Sequence, residues 1–123
     1  MDTACSSSLV VLDQACQALQ QNQISMGVVG RCNVIVTPAS VMTIGKMGFL
    51  SPDGLCHSFY ESGNRYARSE GFATLIVKRV SDVVWDGDTI RAVIRATATN
   101  QDGRTIGLAQ PCERPQEELL RST

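Results

Sequence analysis

The chain has 123 residues, 43% of them hydrophobic, and its 11 Lys and Arg nearly cancel 12 Asp and Glu. That length and apolar share suit one small domain able to bury a core. The charges are scattered rather than gathered in a basic patch, which excludes a nucleic-acid or membrane-surface role. No apolar run nears the roughly 20 residues that span a bilayer and no charged-then-apolar leader opens the chain, so a cytoplasmic location is expected.

From Ser6 to about Gln21, apolar residues recur at Leu9, Leu12, Cys16 and Leu19, with Val11, Ala15 and Ala18 alongside. This spacing predicts a helix with a broad buried stripe. Asp2, Thr3 and the serines offer N-cap oxygens at its start, and Gln20 to Gln23 end it. Ile24 to Val36 is a β-branched run that reads as a buried strand. Thr37 to Phe59 is rich in Pro, Gly and Ser and reads as a long ordered loop with one helical turn, turning at Pro52-Asp53-Gly54. Gly71 to Val80 and Thr89 to Thr99 both read as strands, with Asp86-Gly87-Asp88 as a close connection between them. Arg114 to Thr123 reads as the opening of a helix. Met26, Met42 and Met47 are expected to fill the core. The order of elements is α/β or α+β.

Five cysteines (Cys5, Cys16, Cys32, Cys56, Cys112) form no C-x-x-C pair. An odd, dispersed set indicates reduced thiols rather than a disulfide framework. No metal site is expected, since zinc ligand pairs sit about two to four residues apart.

Cys5 stands just before the first helix. Unpaired backbone N–H groups and the positive end of the helix dipole favour a thiolate there, and a thiolate suits covalent acyl transfer. Position alone leaves a second reading open, a small residue packed as a hydrophobe.

The surrounding residues narrow the choice. Asp2 to Leu9 reads DTACSSSL, which resembles the active-site signature of β-ketoacyl synthase (ketosynthase) domains from type I polyketide synthases and animal-type fatty-acid synthases. GRCNVIVTP (Gly30 to Pro38) is similar to the family's G-x-N-x-x-x-x-P strand. KMGFLSPDGLCHSF (Lys46 to Phe59) resembles its K-x-G-x-L-S-P-D-G-x-C-x-x-F loop. GNRYARSEGFATLIVKRVSD (Gly63 to Asp82) is similar to its Y-x-R-G-E-G strand, and ATNQDGRTIGLAQP (Ala98 to Pro111) to its N-x-D-G-R segment. One departure is Arg68-Ser69-Glu70-Gly71, where members often carry Arg-Gly-Glu-Gly.

The resemblance implies a thiolase-like α/β fold, in which two similar halves stack as five layers and pair as a homodimer. Residues 1–88 would belong to the N-terminal half with the nucleophile, and residues 89–123 would open the C-terminal half. It implies that Cys5 is the acyl-bearing nucleophile, its backbone N–H an oxyanion-hole donor. The reaction would be decarboxylative condensation of the Cys5-bound acyl chain with a malonyl unit in polyketide biosynthesis. No cofactor would bind directly; acyl and malonyl thioesters would arrive on the phosphopantetheine of an acyl carrier protein domain. The chain would be an internal stretch of such a domain, inactive alone, with the histidines of the H-G-T-G-T and N-x-G-H motifs beyond its last residue.

Two alternatives stand beside this reading. One is the ketosynthase of an animal-type fatty-acid synthase, and the other a non-catalytic acyl-binding or scaffold domain, against which the presence of Cys5 speaks. His57, the only histidine, is expected to brace its loop or face solvent. Arg68 and Glu70, two apart on a strand, are expected to form a structural brace. Asn100, Asp102 and Arg104 are expected to shape a turn.

Overall fold

A computed structural model describes residues 1–107 and 110–123. Leu108 and Ala109 of the Ala98–Pro111 motif lie outside the described residues. Contacts divide the chain into two compact units, Met1–Val29 with Thr74–Thr123, and Gly30–Ala73.

A 3-10 turn, Ala4–Ser6, leads into helix α1, Ser7–Gln20. The apolar stripe forms the helix as its spacing predicts, and Leu19 is buried. The helix closes itself. Asn22 takes the left-handed conformation at φ 57°, Gln23 N–H donates to Ala18 O at 2.9 Å, and Asn22 N–H donates to Leu19 O at 3.2 Å. That pair of bonds is the Schellman arrangement, which uses up carbonyls the helix leaves over.

Strand β1, Met26–Asn33, lies inside the span expected for it and pairs with strand β2, Gly71–Lys78. Gly27 is where α1 meets the sheet: a Cβ there would sit 3.1 Å from Val77 Cγ2 and 3.5 Å from Ala15 Cβ. Val29 is buried.

Between the strands the structure differs from expectation. Helix α2, Pro38–Lys46, fills much of what reads as loop. Thr37 is extended, Pro38 pre-sets the first helical φ, and Lys46 meets the negative end of the dipole. The prolines and glycines that suggest a loop therefore mark the helix's ends. The expected turn is present at Ser51–Gly54, where Gly54 has φ 70° and its N–H reaches Ser51 O at 3.2 Å.

A second helix, α3, Val80–Asp86, intervenes after β2 where a direct strand-to-strand connection is expected. Arg79 is extended, Asp82 occupies the first turn, and Gly87 ends the helix at φ 73°. Thr89–Thr99 is not a strand: among the described residues it makes no ladder hydrogen bonds, and β character without a hydrogen-bonded neighbour is not a sheet. Helix α4, Glu113–Ser122, forms as expected. Its ion pairs, Arg114–Glu118 and Arg121–Glu117, are exposed and contribute a few tenths of a kcal/mol each, on the order of 0.3–0.5.

The methionines are another correction. Met26, Met42 and Met47 are more than half exposed and fill no core. Among the described residues the buried apolar side chains are Leu19 and Val29, with Asp13 and Ser51 as buried polar ones. Asp13 lies on the inner side of α1, its Oδ2 accepting from Gln17 Nε2 at 2.7 Å, and its Oδ1 has no partner among the described residues. No described helix is long and apolar enough to cross a membrane.

Candidate active site at the start of the first helix

The turn that presents Cys5 is built from the polar residues around it. Asp2 Oδ1 accepts from Ala4 N–H at 2.9 Å, and Ser7 Oγ accepts from Thr3 N–H at 2.8 Å. Ser6 Oγ donates to Thr3 O at 2.9 Å, and Ser7 Oγ donates to Ala4 O at 2.7 Å. The hydroxyls therefore stitch residues 2 to 7 together. They do not act as the helix cap that their position suggests, since Ser6, at the cap position, makes no side-chain cap bond. The stitching holds Ala4 at φ 54°. A side chain bearing Cβ pays a steric penalty there of roughly 1–2 kcal/mol, and such conformations gather at functional sites. The bend places Cys5 on an exposed turn at the positive end of α1.

None of the five cysteines is in a disulfide. Cys16, further along α1, is a different kind of thiol. Burial pushes its pKa up, the Asp13 carboxylate adds to this, and a hydrogen bond with Thr97 works against both. A raised pKa keeps it protonated near neutrality and unreactive.

The far end of α1 is gripped by Arg79. Its Nη1 donates to Leu19 O at 3.1 Å and to Ile24 O at 2.7 Å, and its Nη2 pairs with Asp82. Asp82's carboxyl is held below the usual carboxylate range, chiefly by this arginine. Beside it, Lys78 Nζ donates to Asp86 and Asp88, which raises the lysine's pKa and ties the end of β2 to the end of α3. No motif singles out Arg79. Only the meeting of a strand end with a helix end reveals it.

In the Gly30–Ala73 unit, His57 Nε2 lies 2.7 Å from Asp53 Oδ2. Asp53 Oδ1 accepts from the buried Ser51 hydroxyl and from Leu55 N–H. Those bonds, the Ser51 hydroxyl's first, hold Asp53 well below the usual carboxylate range. His57 is thus a loop brace. Cys56 Sγ accepts from Ala67 N–H at 3.1 Å, another tie across the same loop. Arg68 and Glu70 do not pair with each other but both reach the end of β1. Glu70 Oε1 accepts from Ile35 N–H, and Arg68 Nη2 donates to Asn33 Oδ1 at 3.5 Å.

In the other unit, Asn100 Nδ2 donates to Pro115 O at 2.7 Å and Asp102 Oδ2 accepts from Cys112 N–H at 3.1 Å. These two residues thus hold the entrance to α4 rather than a reactive group. No described group of three or more His, Cys, Asp or Glu could hold a metal ion.

Residues 1–83 match the model of the β-ketoacyl synthase N-terminal domain. The chain is 52% identical over 120 residues to the highly reducing polyketide synthase dmxL2 of Cryptosporiopsis sp. and 50% identical over 123 residues to the partially reducing polyketide synthase tpeA of Talaromyces stipitatus. Those alignments take in 98% and 100% of this chain but 5% of each relative. Among solved structures, the ketosynthase from module 6 of the bacillaene synthase of Bacillus subtilis 168 superposes with a TM-score of 0.95 at 41% identity, over 99% of this chain and 22% of that one. The oxazolomycin ketosynthase domain OzmH KS7 of Streptomyces albus JA3453 gives 0.93 at 40% identity, with the same coverage. The fold is therefore that of the thiolase-like ketosynthases, and the chain belongs to the β-ketoacyl synthase family, matching its N-terminal domain.

Proposed function

We propose that this chain supplies the nucleophile of a polyketide-synthase ketosynthase, with Cys5 as the acyl-bearing residue. The observation that carries the reading is the strained, exposed turn holding Cys5 at the start of α1, inside a sequence that matches the family across residues 1–83. In the proposed reaction the Cys5 thiolate attacks the carbonyl of an acyl thioester, the carrier thiol leaves, and an acyl–Cys5 thioester forms. A malonyl thioester then loses CO₂, and the resulting enolate carbon attacks the acyl–Cys5 carbonyl. A C–C bond forms, the C–S bond to Cys5 breaks, and a β-ketoacyl thioester departs on its carrier. The Cys5 backbone N–H serves as one donor to the oxyanion.

The partners proposed are an acyl carrier protein domain with its phosphopantetheine arm, the acyl and malonyl thioesters it delivers, and a second copy of the domain as homodimer partner. The setting proposed is cytoplasmic. Residues 1–88 are assigned to the N-terminal half of the domain and residues 89–123 to the start of its C-terminal half.

The test is covalent loading. Full-length protein and its Cys5→Ala variant are incubated with radiolabelled acyl thioester. Label is expected on the wild type and none on the variant, whose circular dichroism stays unchanged. Undiminished label on Cys5→Ala would remove Cys5 from the mechanism.

A further inference from the structure

The geometry points to Arg79 as a positioning residue for Cys5, acting through the length of α1. This rests on the ketosynthase reading of Cys5 and deepens it.

Arg79 is not needed to end the helix. The Schellman bonds of Asn22 and Gln23 already occupy Leu19 O and Ala18 O. What the guanidinium adds is a link between places distant in sequence: it joins Leu19 O and Ile24 O, 60 and 55 residues earlier, to the point where β2 passes into α3. Its side chain is 28% exposed, so water competes for these bonds less than at an open surface. Asp82 fixes the fork from the other side through Nη2. Arginine suits this place because its planar fork serves separate acceptors at once while its charge meets the negative end of the helix.

The opposite end of α1 carries Cys5. The hydrogen bonds among residues 2 to 7 give that turn its shape. Three features bear on where α1 lies in its unit: the close approach of Ala15 to Gly27, the hydrogen bond between Cys16 and Thr97, and the grip of Arg79. A helix of 14 residues is stiff, and at about 1.5 Å per residue it spans about 21 Å. An axial slip at Leu19 therefore arrives at Cys5 nearly undiminished. Acyl transfer is sensitive to such slips, because a misplacement of about 1 Å can cost about 10²-fold in rate.

The experiment uses the full-length protein with Arg79→Met, Arg79→Lys and Asp82→Asn. An acyl N-acetylcysteamine thioester is the acylating probe, and iodoacetamide reports on Cys32, Cys56 and Cys112, the cysteines that lie outside α1. All rates are taken well below each variant's melting temperature. In Arg79→Met the saturating acylation rate of Cys5 is expected to fall by about 10- to 100-fold, with KM within about threefold of wild type. Arg79→Lys, which keeps the charge and one reach, recovers most of the rate. Asp82→Asn, which leaves Arg79 in place but loosens it, falls between wild type and Arg79→Met. Cys32, Cys56 and Cys112 keep their wild-type alkylation rates.

Wild-type acylation in Arg79→Met overturns the inference, as does a loss that Lys does not recover or one shared by those three cysteines. If Arg79→Met does not fold, Asp82→Asn decides alone: an unchanged Cys5 rate overturns the inference, and a selective loss upholds it. A wild-type protein that takes no acyl group on Cys5 instead refutes the ketosynthase reading itself.

Discussion

Asp53 accepts hydrogen bonds from three groups of its own loop, and this decides what its neighbour His57 does. A carboxyl held low gives stability that is fully present above the ordinary carboxylate range and lost as pH falls through its folded value. The clasp is therefore intact at neutral pH, with His57 committed to it. We expect His57→Ala in the full-length protein to leave condensation within a few-fold of wild type. Removing a general acid or base typically costs about 10²- to 10⁴-fold, so a loss of that size in a steady-state condensation assay would show the assignment to be wrong. The place of Cys5, just before a helix, was legible in the sequence because apolar spacing marks where α1 begins. Its left-handed predecessor Ala4 was not, since alanine carries no signal for φ above zero.

At the scale of elements, the packing of α1 on the sheet turns on Gly27. A single Cβ there already crowds Val77 Cγ2 at 3.1 Å, and valine would add two more methyl groups toward Ala15 and Ile24. Overpacking of this kind typically costs about 1–3 kcal/mol. Gly27→Val is accordingly expected to lower the unfolding free energy of the full-length domain by that amount, bringing its denaturation midpoint down, and to slow Cys5 acylation. An unchanged midpoint in a urea titration would mean that the helix is free to move aside. The long periodic elements, α1 and β1, were legible because hydrophobic spacing alone fixes them. The short helices α2 and α3 were hidden for opposite reasons. In α2 the prolines and glycines mark ends rather than a loop, whereas α3 is written in Val80, Val83 and Val84, residues that favour strands, and it is held by Arg79, Asp82 and the Gly87 cap. Thr89–Thr99 shows the converse, β-branched residues without a neighbour to pair with.

For the whole molecule, the deciding quantity is how little apolar surface the chain covers by itself. It leaves 10121 Å² accessible, against about 6,500 Å² for a folded monomer of 13.3 kDa. Phe59, Phe72, Ile76, Trp85 and Ile106 are each more than two-thirds exposed, while Leu19 and Val29 are the described apolar residues that are buried. The alternation of β2 is legible only in part for the same reason: GFATLIVK carries apolar residues toward both faces, as strands covered on each side do. In the solved ketosynthases, the matching stretch is 22% of the chain. We expect the 123-residue chain, expressed alone, to expose these faces and to self-associate through them and through its open sheet edges. Condensation should be absent as well. The enolate needs positioned donors, commonly worth about 10²- to 10³-fold each, and the chain's one histidine is engaged with Asp53. Size-exclusion chromatography, dye binding to exposed apolar surface, thermal melting and a condensation assay on the purified chain check both expectations. Aggregation, strong dye binding and a melt without a cooperative transition are the expected results. A monodisperse protein that melts cooperatively would show that Leu19, Val29 and their neighbours make a sufficient core, and β-ketoacyl product would show that the chain supplies the donors itself.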